Sequence, residues 1–197
     1  MDKLLGVVLS GGESKRMGYD KGLLPFQNDL WASHIAGKLK QLEIPVVISI
    51  NLSQLEEYSK VFSIRELVID KPMDVKGPLK GLLSVHQKFP DHDLLLLACD
   101  MIDMERDTLE NLIFSYISAS SYDYYVYLNG EQIEPLCAIY TSVALKKINE
   151  IMKSKDLLSF SLKGIISSGH LKINFPTNNI SFKNYNRPND LKIKNTI

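Results

Sequence analysis

The sequence predicts a three-layer α/β domain in which helices cover both faces of a mostly parallel sheet. In the first half of the chain, short apolar runs alternate with segments whose apolar residues recur at helical spacing. The apolar runs lack an inside–outside alternation, which is typical of strands buried on both faces of a parallel sheet. In the second half, Asn129-Gly130 separates two strand-like runs and predicts a hairpin, so we expect one strand to run antiparallel.

The predicted strands are the segments richest in aliphatic and aromatic residues. In the first half of the chain they are Leu4–Leu9, Val46–Ile50, Leu67–Ile69 and residues 94–98. Residues 124–127 and 136–140 are the two predicted arms of the hairpin, and residues 171–175 are the last predicted strand.

The predicted helices begin at polar or proline-containing sites. Asp29 is expected to cap a helix whose apolar stripe is Trp31, Ile35, Leu39 and Leu42. Ser53 with Glu56 predicts a capping box, Gly77-Pro78 opens a third helix, and Asp107 with Glu110 begins a fourth. Further helices are predicted over 142–152 and within 157–167, and a short one at Asn186 and Pro188.

The size and composition of the chain favour one globular domain, residues 1–197. Lysine plus arginine equals aspartate plus glutamate, so the basic excess of a nucleic-acid-binding protein is absent. Cys99 and Cys137 have no metal-binding or disulfide-framework spacing. No apolar run approaches membrane-spanning length, and the first one is too short for a signal peptide core, so we expect a cytoplasmic protein without a membrane partner.

Polar residues follow the four predicted strands of the first half. Ser10, Asn51, Asp70 and Asp100 stand at or just beyond the carboxyl ends of these strands, which meet at one edge of a parallel sheet and form its ligand-binding crevice. Asn51 and Asp70 can bond a base edge or ribose hydroxyls, and Asp100 can hold Mg²⁺ against phosphate oxygens. Ordinary turn chemistry is the alternative interpretation of each residue taken alone.

The loop after the first strand reads Leu-Ser-Gly-Gly-Glu-Ser-Lys-Arg-Met-Gly-Tyr-Asp-Lys over residues 9–21. Gly11 and Gly12 let backbone amides approach a phosphate, Arg16 can grip phosphate oxygens with two donors, and Lys21 adds a point charge. The string is neither a P-loop nor GxGxxG. The alternative interpretation is a βα turn with solvated charges.

This string resembles the LAGGxSxRMGxDK signature of molybdenum cofactor guanylyltransferases, with Ser10 in place of the usual alanine. Weaker matches follow in the family's order, at residues 77–82, 99–101 and 134–136, and at 184–191, which is similar to the family's NxNTPxDL ending. Two positions depart from the family pattern. Ile102 stands where proline is frequent, and Arg187 where threonine is usual.

The resemblance implies a Rossmann-like nucleotidyltransferase fold with a nucleotide-binding half, residues 1–105, and an acceptor-binding half, residues 106–197. It implies transfer of GMP from GTP to the phosphate of molybdopterin or Mo-molybdopterin, with release of pyrophosphate. Delivery proteins and apo-molybdoenzymes are the partners expected from it, and the C-terminal asparagines would hold the acceptor. The residues expected to bind the nucleotide are Leu9, Ser10, Gly11, Gly12, Lys21, Asn51, Asp70 and Asp100. Catalytic roles are expected for Arg16, Lys21 and Asp100, with Mg²⁺ on Asp100.

A phosphate acceptor is already ionised at neutral pH, so this chemistry needs no strong general base. No Ser-His-Asp or Cys-His constellation is evident, and His34 and His86 are expected to pack beside helices. The alternatives are a cytidylyltransferase or a sugar- or alcohol-phosphate nucleotidyltransferase of the same fold, and a non-catalytic GTP-binding regulator. By resemblance, cytidylyl relatives carry alanine where this chain has Gly11. A methyl group there would press on a purine or require a backbone conformation that only glycine adopts, so GTP is the expected nucleotide.

Overall fold

A computed structural model describes residues 3–11, 20–154, 161–183 and 185. The strands of its main sheet are β1 (Leu4–Leu9), β4 (Val46–Ile50), β5 (Leu67–Ile69), β6 (Asp93–Ala98), β7 (Tyr124–Asn129), β8 (Gln132–Tyr140) and β9 (Leu171–Asn174). A separate hairpin consists of β2 (Pro25–Phe26) and β3 (Asp29–Leu30). The helices are α1 (Trp31–Lys40), α2 (Leu55–Ser59), α3 (Pro78–Lys88), α4 (Arg106–Ser118), α5 (Ser142–Ser154) and α6 (Leu162–Ser167).

The main sheet has the strand order β5-β4-β1-β6-β8-β7-β9. β1 lies between β4 and β6 and pairs with both in parallel, and β5 pairs in parallel with β4. β8 is antiparallel to both of its neighbours, while β7 and β9 are parallel to each other. The predicted mostly parallel sheet with one antiparallel strand is therefore confirmed.

Two apolar layers sandwich this sheet. Along the central strands, successive side chains point to opposite faces, so that Val8 and Leu97 belong to one core cluster and Val7 and Leu96 to the other. The first cluster includes residues of α1, α2 and α4, and the second includes residues of α3, α5 and α6. The strands carry no polar face because both faces are covered, and the predicted three-layer arrangement is confirmed.

Both predicted capping residues of the first two helices are wrong. Asp29 is not the N-cap of α1: it pairs with Phe26 in the short hairpin, and its carboxylate accepts a hydrogen bond from Leu30 N at 2.7 Å. Because the hairpin keeps the chain extended through Leu30, the helix begins at Trp31. The predicted capping box at Ser53 and Glu56 lies two residues later than the observed one.

The observed capping box uses Asn51 and Gln54 around the 3-10 turn Leu52–Gln54, which precedes α2. The turn starts directly where β4 ends, so the capping pair lies earlier than the helical pattern indicates. The hairpin at Asn129-Gly130 and the helix opened by Gly77-Pro78 are confirmed, with both glycines at positive φ. The predicted helix at Asn186 and Pro188 lies outside the described residues.

None of the helices within the described ranges is long and apolar enough to cross a bilayer.

His86 is buried in α3, with only 2% of its surface exposed. Burial lowers the pKa of its imidazole, the charge of Lys146 lowers it further, and Asp91 opposes both effects. The folded pKa is therefore below the ordinary value of 6.5, which means that the unfolded chain takes up a proton first as the pH falls. The stability contributed by neutral His86 is complete above 6.5 and is lost as the pH drops below it.

We expect the His86→Leu variant to lose less unfolding free energy than the parent when the pH falls from about 7.5 to about 5.5. Urea unfolding at both pH values measures the difference, because His34, whose pKa is also lowered by burial, contributes equally to both proteins. An identical pH dependence in parent and variant would contradict this interpretation.

Candidate active site

The carboxyl ends of β1, β4, β5 and β6 form a cleft. Its inner part is a cavity of about 200 Å³ lined by residues that include Ser10, Lys21, Asp70 and Asp100. A neighbouring cavity of about 750 Å³ is lined by residues that include Asn51 and Lys80. Gly11, Asp70 and Gly77 line both cavities, so the two are adjacent. The structure thus brings the strand-end residues selected from the sequence into one cleft.

Lys21 and Asp100 form an ion pair within this cleft, with Lys21 Nζ 2.8 Å from Asp100 Oδ2. Their side chains are only 19% and 15% exposed. Asp100 comes two residues after the end of β6. Lys21 begins the 3-10 turn Lys21–Leu23, which comes after the glycine-containing segment in sequence. A cation and a carboxylate held this closely at a sheet edge can neutralise phosphate charge and bind a divalent cation, respectively.

The backbone at the end of β1 is held by its neighbours. Ser10 N donates to Ser49 O at 2.9 Å, and Cys99 N donates to Leu9 O at 3.1 Å. The Ser10 amide is therefore already used within the protein, so the first amide of the loop that can reach a phosphate is that of Gly11.

Asp70 occupies the corner where the two cavities meet. Its Oδ1 accepts a hydrogen bond from Ser49 Oγ at 3.2 Å. Burial raises the pKa of the Asp70 carboxyl, while the Ser49 hydrogen bond and the positive charge of Lys80 oppose this rise. A partly buried carboxylate at this position can accept hydrogen bonds from ribose hydroxyls or from the N–H groups of a base.

Gly11 and Gly81 lie close to the Ser49–Asp70 pair, where a larger residue would make tight contacts. A Cβ on Gly11 would lie 3.1 Å from Asp70 Oδ2 and 3.5 Å from Asn51 N. On Gly81 of α3, a Cβ would lie 2.7 Å from Ser49 Oγ. The absence of a side chain at both positions therefore allows the loop and α3 to approach the Ser49–Asp70 pair.

Cys99 also lines the cleft, and burial raises the pKa of its thiol to about 12, with the charge of Asp100 contributing. A thiol with this pKa is neutral at physiological pH, so Cys99 is not a thiolate nucleophile. Cys99 and Cys137 are both buried free cysteines.

Over the described ranges, no group of three or more histidine, cysteine, aspartate or glutamate side chains could form a protein-only metal cage. Asp100 supplies a single carboxylate, which fits Mg²⁺, since this ion commonly takes one or two carboxylates together with phosphate oxygens and waters. The residues present therefore fit an ion that arrives with a triphosphate.

Part of the predicted site lies outside the described residues. Gly12 and Arg16 belong to this part, as do Arg187 and the C-terminal asparagines at 184, 186 and 189. Tyr185 is described, and its backbone N donates to Asp100 O at 3.5 Å. The beginning of the C-terminal block that resembles the family ending is thus next to Asp100.

Two groups of polar residues around the cleft were not predicted from the sequence. Asp103, three residues after Asp100, accepts a hydrogen bond from Tyr185 Oη. Gln54, Tyr58 and Asp20 form a hydrogen-bonded network beside the end of β1, where Gln54 also donates to Ser10 O. The spacing of Asn51 and Gln54 was a usable signal, because an asparagine followed three residues later by glutamine is typical of a capping pair.

The chain is similar to known proteins over most of its length. A family model described as the MobA-like NTP transferase domain matches residues 6–165. A probable molybdenum cofactor guanylyltransferase of Clostridium perfringens strain 13 is 31% identical over 170 residues, which cover 83% of this chain and 76% of that protein. A protein of the same description from Flavobacterium johnsoniae is 28% identical over 200 residues, which cover 98% of each.

A solved structure shows the same fold. It is the molybdopterin-guanine dinucleotide biosynthesis protein A of Archaeoglobus fulgidus, with a TM-score of 0.76 and 20% sequence identity, and the match covers 96% of this chain and 95% of that one. The family model covers far more than half of the chain, and the first relative is similar over most of its own length. The chain is therefore a nucleotidyltransferase that belongs to the MobA-like NTP transferase domain family.

Proposed function

We propose that this protein transfers GMP from GTP to the terminal phosphate of a molybdopterin and releases pyrophosphate. The observation that supports this most directly is the Lys21–Asp100 ion pair, which lines the inner cavity together with Gly11 in a chain of this family. The names of the relatives favour guanylyl transfer over the other chemistries of the fold.

The reaction needs positioning and charge neutralisation more than proton transfer. An oxygen of the acceptor phosphate forms a bond to the α-phosphorus, and the bond from that phosphorus to the bridging oxygen breaks, so that pyrophosphate leaves with the electron pair. The attacking phosphate is already an anion. No histidine is among the described residues that line the two cavities, and Cys99 is neutral. Preorganised charges are then the main source of rate acceleration.

The residues of the cleft divide this work. Asp100 would hold Mg²⁺, which when bound neutralises charge on the phosphates and on the leaving group. Lys21 would contact the β- and γ-phosphates as a point charge, and Gly11 N would donate to a phosphate oxygen. Asn51 and Asp70 line the larger cavity and would bind the nucleoside.

The acceptor would enter from the side of the second half of the chain. Leu136 of β8 lines the inner cavity, and Tyr185 N donates to Asp100 O. This arrangement supports a molybdopterin site that borders Asp100. Delivery proteins and apo-molybdoenzymes would be its partners, in the reducing cytoplasm where buried free cysteines persist.

The test is Mg²⁺-dependent pyrophosphate release from GTP in the presence of a molybdopterin source. CTP and a sugar 1-phosphate are supplied in parallel to identify the related chemistries. Activity should require both GTP and molybdopterin, and it should restore an apo-molybdoenzyme that uses the guanine dinucleotide cofactor. A parent protein that prefers CTP would be a cytidylyltransferase, and one that binds GTP without turnover would be a regulator.

The preference for GTP is expected to depend on Gly11. The explanation by a glycine-only backbone is wrong, because among the described glycines only Gly77 and Gly130 have positive φ. The steric explanation remains, since a methyl group would lie 3.1 Å from Asp70 Oδ2, where the two cavities meet. We expect Gly11→Ala to lower kcat/KM for GTP about tenfold more than for CTP, because the larger purine has less room.

The matched control is Gly37→Ala, since a Cβ at Gly37 meets nothing within 4 Å. The ratio of kcat/KM for the two nucleotides should be unchanged in this control. A Gly11→Ala ratio equal to that of the parent would remove the steric argument.

A further inference from the structure

The side-chain amide of Gln54 connects three segments of the cleft. Gln54 is the last residue of the 3-10 turn after β4 and is only 8% exposed. Its Nε2 donates to Ser10 O at 2.9 Å and also to Asp20 Oδ2. Its Oε1 accepts from Asn51 N at 2.8 Å. One buried amide thus holds the end of β1, the end of β4 and Asp20, the penultimate residue of the signature string.

The chemistry of the partners determines the orientation of this amide. A backbone carbonyl and a carboxylate can only accept, so the NH₂ group must face Ser10 and Asp20. The Asn51 amide can only donate, so Oε1 must face it. Both N–H groups of the side chain and its carbonyl oxygen are used. A glutamate at this position, when ionised, could donate to neither acceptor and would place a second negative charge beside Asp20.

Asp20 transmits this arrangement to Lys21. Its Oδ1 accepts from Gly22 N at 3.0 Å and from Tyr58 Oη at 2.9 Å. It is thereby the N-cap of the turn Lys21–Leu23. Burial raises the pKa of Tyr58 well above its ordinary value, and the Asp20 charge adds to this rise, so the phenol remains a donor.

The lack of a side chain at Gly22 allows the turn to approach the Tyr58 hydroxyl closely. A Cβ at Gly22 would overlap Tyr58 Oη and would lie 2.9 Å from Ser10 Oγ. The turn therefore packs directly on the Tyr58 hydroxyl, and its first residue extends Nζ to Asp100. The direction of the Lys21 side chain therefore depends on the turn Lys21–Leu23. The N-cap of this turn, Asp20, is fixed by hydrogen bonds from Gln54 and Tyr58.

We infer that Gln54 is a positioning residue, which ties the two ends of loop 11–19 to each other and thereby sets Lys21 against Asp100. This inference rests on the proposed nucleotidyl transfer. Ser10 and Asp20 flank this loop in sequence, and both accept a hydrogen bond from Gln54 Nε2. Loss of the two N–H groups on this nitrogen therefore removes the link between Ser10 and Asp20. Tyr58 assists through Asp20 alone and therefore has the smaller part.

The first test is a double-mutant cycle between Gln54 and Lys21. We expect Gln54→Glu to lower kcat up to about a hundredfold, as misplacement of a charge-bearing group does, with a smaller change in KM for GTP. In the Lys21→Met background the same substitution should lower kcat less than about threefold, because a residue that acts through Lys21 cannot be lost twice. Additive losses in the two backgrounds would overturn the inference.

Two further variants separate positioning from general damage. Gln87→Glu makes the same chemical change on the exposed face of α3 and should leave kcat unchanged. Tyr58→Phe keeps the buried ring but removes one hydrogen bond to Asp20, so it should lower kcat about tenfold, with the same coupling to Lys21. An unchanged kcat in Tyr58→Phe would overturn the path through Asp20 even if Gln54→Glu fails to fold.

Amide hydrogen exchange tests the arrangement without the reaction. The Gly22 amide donates to Asp20, so its exchange should accelerate at least about tenfold in Gln54→Glu, while the Leu96 amide in β6 keeps the parent rate. Unchanged exchange at Gly22 would overturn the inference whether or not the parent is active. A parent without pyrophosphate release but with accelerated exchange in the variant would contradict the proposed reaction and leave the positioning role intact.

Discussion

Replacing Asp100 with asparagine is expected to lower kcat for pyrophosphate release by a hundredfold or more and to leave the fold intact. The substitution preserves size but removes the carboxylate charge that would hold Mg²⁺. Loss of one charge-stabilising contact to a developing phosphoryl charge typically costs about 2.7–4 kcal/mol. The fold should tolerate it because the side chain lines the cleft and the Asp100 carbonyl still accepts from Tyr185 N.

The control for Asp100 is Asp91→Asn, because Asp91 precedes the same strand at its opposite end. The Asp91 side chain is 80% exposed and pairs with Lys146 at 3.1 Å, an arrangement that contributes little to stability. Initial rates measured across a range of Mg²⁺ concentrations, together with thermal unfolding, distinguish the two variants. Near-normal turnover of Asp100→Asn at saturating Mg²⁺ would exclude the proposed role.

The parallel half of the sheet could be predicted almost residue by residue. β1, β4 and β5 have the predicted bounds, and β6 starts one residue earlier. These strands are buried on both faces, so they are almost entirely apolar and can be recognised from composition alone, although Ser49 and Asp93 are buried polar exceptions. The positions of their polar ends follow from topology, since parallel strands place their carboxyl ends at one edge.

The antiparallel strand was predicted too short for a physical reason. β8 begins at Gln132, whereas the sequence indicated residue 136. Its register with β7 shifts between Val126 and Leu128, and Pro135 lies in the irregular stretch opposite this shift. Pro135 and the irregular alternation of apolar and polar residues hide the first part of β8 in the sequence. The Asn129-Gly130 turn before it is nevertheless recognisable.

The contacts that shape the candidate site were least predictable. Gln54 reaches Ser10 across 44 residues of sequence, and Tyr185 reaches Asp103 across 82. Neither pair belongs to a local pattern such as a cap or a turn. The strand-end rule therefore selects the residues that face the cleft, while those that hold them in place emerge only once the chain is folded.

Replacing Lys21 with methionine is expected to weaken GTP binding by about ten- to a hundredfold and GMP binding much less, in line with about 1.5–3 kcal/mol for a hydrogen bond to a charged group. Methionine retains the unbranched stem but has no ammonium group to meet the triphosphate tail, which GMP lacks. The loss should be increased by the negative charge of Asp100, which would then face the phosphates without its partner 2.8 Å away. Calorimetric titration with both nucleotides measures the difference.

Lys40→Met is the matched control, because Lys40 pairs with Glu66 at 2.7 Å at the exposed end of α1. This variant should bind both nucleotides like the parent. If Lys21→Met binds GTP and GMP with parental affinities, then Lys21 does not contact the triphosphate.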